Sequence, residues 1–332
     1  LKKKEKTALY QNNLEYIKEE LLKLDLIIQL AVIRLREALP DKMQDEYKGM
    51  FLSDREIDSI LKTSKGPTSK SKKPESRSNA QKECLLKVME QLQRKISRKK
   101  EESIAAGIYL ALPRLSSLFN LTAFEEQCIL ICFAPEADKK YEKLYAYLQD
   151  DISSKKPSIE LMLNLLCSSS EGKIRARSFF LEQAPLLKSH ILHISQNLQN
   201  QESSFLSKFL KLDDRIVNYL LGVGCLSHEV ESFSKLLFPK SDLNDAGLSH
   251  GIKNQLIQLT KNHIEDINNG QNKLIYYFYG SYGSGKKSLA SEICKELEVP
   301  IVIVDIEELI SGTPSFENSI RLLFREALLQ PA

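Results

Sequence analysis

Three patterns in this 332-residue sequence predict a mainly α chain with a winged-helix-like α+β middle domain and the start of a C-terminal α/β P-loop domain. Apolar residues recur at helical spacing over most of residues 7–234. Two strand-like runs, 189–194 and 205–212, flank a polar loop suited to a hairpin. Near the C-terminus, GSYGSGKK at 280–287 lies between an aromatic, β-branched run and another helix.

The elements divide the chain into five segments. Residues 1–62 form an N-terminal helical region. Its long amphipathic helix, 7–40, carries Leu14, Ile17, Leu21, Ile28 and Ile33 on a broad apolar stripe and stops at Pro40. A short helix through Ile57, Ile60 and Leu61 follows, with Ser53 and Glu56 spaced as a capping box. Residues 63–79 are rich in Ser, Lys and Pro and read as a flexible linker. Residues 80–234 make the middle domain, with helices near 82–96, 103–119, 123–132, 139–148, 158–167 and 174–181. After the two strand-like runs, Asp213 or Asp214 caps a helix at 215–221. Helices followed by a hairpin are the composition of a winged-helix module.

A polar connection, 235–247, leads to the last segment, 248–332. Here the sequence predicts a helix at 251–268, a buried strand at 273–279, the glycine turn, a helix at 287–297, a second buried strand at 299–305 and a helix at 315–329. Domains of this kind need a complete parallel sheet covered on both faces. Two strands are too few, so the expectation is a nucleotide domain truncated at Ala332. Asp305 ends the second strand and could be mistaken for a metal-positioning acid; the strand expected to carry that acid would come after Ala332.

The candidate site is the run Gly280, Ser281, Tyr282, Gly283, Ser284, Gly285, Lys286, Lys287 and Ser288. The glycines let the backbone curl and aim its N–H groups at phosphate oxygens, while the helix start adds unpaired donors and a favourable dipole. Lys286 would bring positive charge to the β- and γ-phosphates. The motif GxxxxGK is usually followed by Ser or Thr, whose hydroxyl helps hold Mg²⁺, but Lys287 stands there and Ser288 comes one residue later. Either the loop shifts so that Ser288 meets the metal, or water and other groups hold it. The implied cofactors are ATP and Mg²⁺.

Composition narrows the alternatives. A net charge of +3 does not by itself argue for nucleic acid, although bases concentrate at 65–77 and 94–100. The second cluster runs into Glu101 and Glu102 and reads as a solvated helix face. Six cysteines lack paired metal spacing; Cys128 and Cys132 sit in a buried helical stripe. His190 and His193 would face opposite sides of a strand and are not read as ligands. The apolar runs are too short to cross a bilayer, and no signal peptide is visible, which fits a cytoplasmic location. The chain opens on LKKK without Met, as expected of a segment from inside a longer protein.

Several segments resemble the bacterial AAA-family ATPases that carry a helical N-terminal region and a winged-helix-like domain before the motor. They are YKGMFLSDREID (47–58), YEKLYAYLQDD (141–151) with KPSIEL (156–161), LKLDDRIV (210–217) and GSYGSGKK (280–287). The resemblance implies an ATP hydrolase that works as a homo-oligomeric ring, a hexamer, and remodels protein complexes. Some members accompany contractile injection systems, so a component of such a system is an implied partner. Gly280, Gly283, Gly285 and Lys286 carry over onto the phosphate-binding motif. Walker B, the sensors and the arginine finger do not, so the segment alone is expected to be inactive.

The alternative is a DNA-acting ATPase that docks the winged helix on duplex DNA through the helix at 158–167. That helix carries one acid and no base, whereas recognition helices display Arg, Lys, Asn or Gln. Nucleic acid is therefore not expected as a partner on this reading.

Overall fold

The computed structural model describes residues 9–38, 54–62, 74–195, 204–224, 226–238, 250–267, 274–311 and 315–330. The expected Ser53 cap, the 63–73 part of the linker, the hairpin loop 196–203 and the connection from 239 to 249 lie outside those residues. The chain divides into two compact units, Leu1–Cys225 and Leu226–Ala332.

The first unit is built around α1 (Asn13–Ala38), which begins where the Asn12 side chain accepts from the Glu15 N–H at 3.0 Å. Tyr16, Ile17, Leu24, Ile28 and Val32 are buried along it. Around α1 stand α2 (Asp54–Lys62), α3 (Pro74–Ala105), α4 (Ala111–Phe119), α5 (Ala123–Ala137) and α6 (Lys140–Leu148). Because α1 is covered on several sides, its inward charges are paired: Lys140 Nζ lies 2.9 Å from Asp25 and Lys23 Nζ 2.5 Å from Glu20. Asn13 ties three helices together. Its Oδ1 accepts from the Ala111 N–H at 2.7 Å, supplying the cap that α4 lacks, and its Nδ2 donates to the Leu220 carbonyl at 2.6 Å.

α3 starts at Pro74, so the stretch read as linker is already helical there, and it continues unbroken past 103, where a new helix was expected. Proline suits a first helical position because it needs no N–H partner there. Most of the basic cluster on α3 is engaged in pairs: Arg94 with Glu90, Arg98 with Glu102, and Lys95 with Glu19 of α1. Lys99 is buried over the Tyr10 ring, 4.0 Å from its centroid and 2.7 Å from Glu15.

Glu15 and Glu19 therefore join α1 to α3. The Gln11 N–H and then Lys99 hold the Glu15 carboxyl below its usual range. Burial pushes Glu19 up, but Lys95 and the Tyr10 hydroxyl outweigh it and leave it lowered. Groups titrating lower in the folded chain contribute stability above the unfolded pKa, and that contribution is lost as pH falls through the folded value. Thermal melts from about pH 6 down to about pH 3 should show this loss, with a shallower acid slope in Glu19→Gln. An unchanged slope would remove these carboxylates from the stability account.

After α6 come α7 (Ile159–Leu166), α8 (Ser170–Ala176) with a 3₁₀ turn at Arg177–Phe180, and α9 (Pro185–Lys188). Then follow β1 (Leu192–Ser195), a 3₁₀ turn at Phe205–Ser207, β2 (Phe209–Leu212) and α10 (Asp214–Leu220), capped by Asp213. β1 and β2 are antiparallel, with Leu192 opposite Leu212 and Ser195 opposite Phe209. Ser158 bridges to Phe209 on the other edge of β2, so the hairpin gains a third short extended segment just before α7. Helices α7 and α8, this segment and the hairpin form the winged-helix arrangement.

His190 precedes β1 with φ 52° instead of lying in a strand, and its ring comes 6.1 Å from that of His193. The expected opposite-face placement is corrected by that backbone turn. No cluster of three metal-ligating side chains occurs among the described residues.

The second unit holds α11 (His228–Glu231), β3 (Ser234–Leu237), α12 (His250–Ile267), α13 (Lys286–Glu296), β4 (Ile301–Val304), α14 (Ile306–Ser311) and α15 (Phe316–Leu329). Two expectations are corrected here. β4 is half-buried and pairs antiparallel with β3, Ser234 opposite Val304, rather than joining a parallel sheet. Residues 274–280 form no strand pairing among the described residues. Alternation survives in that run: Phe278 packs against Ile257, Leu289 and Ile293, while Ile275, Tyr277 and Tyr279 are exposed. A strand buried on both faces needs apolar cover on both, and this run has it on one face only.

Candidate functional site

The glycine turn curls directly into α13. Gly280, Gly283 and Gly285 have φ of 152°, 80° and 79°. All three lie in the region that side chains resist, and a Cβ on Gly280 would also come 3.0 Å from the Ser284 hydroxyl. Gly285 stands at the N-cap of α13, and no side chain caps that end. Its first N–H groups thus face the turn without a side-chain partner.

Lys286 is the first residue of the helix, and its ammonium folds back over the turn. It donates to the Gly280 carbonyl at 2.9 Å, the Ser281 carbonyl at 2.8 Å and the Ser284 hydroxyl at 3.1 Å. One cation is thus drawn into the turn, beside a helix start whose first N–H groups have no side-chain cap. Tyr282, at the tip, is fully exposed. Lys287 is exposed and Ser288 half-buried, on successive positions of the first turn. The helix begins at Lys286, so Lys287 is its second residue and Ser288 its third.

Asp305 is occupied elsewhere. Its Oδ1 accepts from the N–H groups of Glu307 at 3.0 Å and Glu308 at 3.2 Å, capping α14.

In the winged-helix unit, the helix considered for DNA is in the wrong place for that work. Ile159, Leu161, Met162, Leu163 and Leu165 of α7 are buried, and Ser158 caps its start by accepting from the Leu161 N–H. The outward helix is α8, which begins at Ser170, four residues before the helix expected at 174–181, and gives way to a 3₁₀ turn at Arg177. It carries Lys173 and Arg175, and Arg177 follows in the 3₁₀ turn. The alternating bases of KIRAR at 173–177 were the signal available in the sequence.

The sequence pattern of a protein family described as "Winged helix domain, variant" matches residues 1–234. No curated protein and no solved structure gives a match.

Proposed function

This chain belongs to the family described as "Winged helix domain, variant", and we propose that it joins a winged-helix docking module to a loop that binds ATP. The observation that carries the ATP reading is the glycine turn with the Lys286 ammonium drawn into it and an uncapped helix start behind it. Glycine conformation, positive charge and orphan N–H donors are the three things a polyphosphate needs from a protein loop. In this reading Gly280–Lys286 hold the phosphates, with Mg²⁺ contributed alongside them. The AAA resemblance supports extending the reading to an ATP hydrolase that works as a homo-hexameric ring on protein complexes, with the helical winged-helix unit as the part that meets them.

Calorimetric titration of the chain with MgATP should give saturable binding. Its absence up to about 1 mM, weaker than about −4 kcal/mol, would sink the reading. Two substitutions address the departure from the usual motif. Lys287 is exposed, so as a second cation for phosphate it is worth up to ~1 kcal/mol, and Lys287→Thr should weaken binding by about fivefold or less. Tighter binding in that variant would instead assign position 287 to the metal. Ser288→Ala should change little in the register observed; a large magnesium-dependent loss would show that the loop slips when filled.

A further inference from the structure

Magnesium accompanies ATP in solution, and a loop of this kind usually holds the ion through the hydroxyl that follows its lysine. The residues of this turn do not fit that task. Lys287 stands in the hydroxyl's place as the second residue of α13, and its side chain is exposed. An ammonium donates hydrogen bonds and accepts none, so it cannot ligate a cation. Ser288 lies about 200° round the helix from Lys286. It is half-buried, next to the core residue Leu289. The hydroxyl that does lie beside Lys286, on Ser284, accepts from the ammonium at 3.1 Å. A divalent ion placed there would meet that positive charge at close range.

The described acids supply no replacement. Asp305, which follows β4, accepts from the N–H groups of Glu307 and Glu308 and caps α14. Among the described residues no three His, Cys, Asp or Glu side chains come together in a way that could hold a metal ion.

Two adjacent lysines therefore open α13, where the usual motif sets one lysine and one metal ligand. A divalent ion cancels part of the polyphosphate's charge, so cations in the loop attract metal-free ATP more strongly than MgATP. The uncapped helix start has the same preference for the more negative ligand. We propose that the loop takes its nucleotide as a bare polyphosphate: Lys286 and Lys287 supply the charge that magnesium supplies in the usual motif, and no residue of the loop holds the ion. Magnesium that arrives with ATP is then bound by the nucleotide alone. Lys286 acts from inside the turn, while Lys287, being exposed, adds a contribution screened by solvent. This inference rests on the ATP reading and specifies the form of ligand that the site prefers.

The test is calorimetric titration of the chain with ATP in EDTA and, separately, with ATP in excess magnesium, at matched low ionic strength. ATP in EDTA should bind more tightly than MgATP or within about threefold of it. Lys287→Thr should weaken metal-free binding by up to about fivefold and MgATP binding by less, because the second lysine meets the fuller charge of bare ATP. Lys261→Thr, exposed on α12 beside Glu296 at the far end of α13, should change neither. MgATP bound more than about threefold more tightly than ATP in EDTA would overturn the proposal and leave the ATP reading intact. Loss of that preference in Ser288→Ala would then name the metal ligand. Equal losses with and without magnesium in Lys287→Thr would also overturn it. No binding in either titration would remove the ATP reading itself, and this inference with it.

Discussion

Lys286→Ala is expected to weaken MgATP binding by about 10- to 100-fold, the equivalent of one charge-assisted contact worth about 1.5–3 kcal/mol. Two losses combine in that figure. The ammonium is the only cation drawn into the turn among the described residues, so the phosphates lose their nearest positive partner. The turn also loses the three hydrogen bonds that reach Gly280, Ser281 and Ser284 and hold its curl before ligand arrives. Preorganisation and charge fail together. Lys286→Arg keeps the charge but not the shape, because a planar fork cannot satisfy three acceptors gathered around one point. Its affinity should fall between those of wild type and Lys286→Ala. The exposed site carries little of the fold, so melting temperatures should stay close in all three proteins. Equal ATP affinity in wild type and Lys286→Ala, by calorimetry, would detach the glycine turn from nucleotide binding.

The turn was legible in the sequence because everything it needs is local. Glycines at fixed offsets, a lysine and a helix start lie within nine residues, and no distant contact is required to bring them together. Most of the longer helices were legible for the same reason, since their apolar period is written in each segment, whereas α9, α11 and α14, of four to six residues, are too short to show one. β3 was not. Its four residues, Ser234–Leu237, are too few to show alternation, and its partner β4 lies more than sixty residues later. Pairing between such distant runs depends on the packing of Phe233, Leu309 and Leu322 around them, which no window of sequence displays. The cationic face of the winged-helix unit was half legible. The apolar composition of α7 already argued against a role on the surface, but only the hairpin geometry brings Phe205 and Lys208 beside Arg177.

Another contact hidden from the sequence gives the second large effect, in the core of the winged-helix unit. Helix α5 contains Pro135 near its end. Proline has no N–H, so the carbonyl four residues earlier, on Ile131, loses its helical donor while remaining fully buried. The Tyr145 hydroxyl, from α6, donates to that carbonyl at 2.8 Å. Tyr145 is itself wholly buried, and burial pushes its phenol far above the ordinary range, which keeps it neutral and able to donate. A bond between two helices thus replaces one that α5 cannot make within itself. Tyr145→Phe keeps the ring and strands the carbonyl, so it should cost about 1–3 kcal/mol in chemical denaturation. Pro135→Ala should restore an N–H at position 135 and give Ile131 its own helical partner. In that background Tyr145→Phe should cost distinctly less, and the double-mutant cycle should return a coupling of about 0.5 kcal/mol or more. Additive effects of the two substitutions would show that the hydroxyl and the proline are unrelated, and that Tyr145 contributes only its ring to the core.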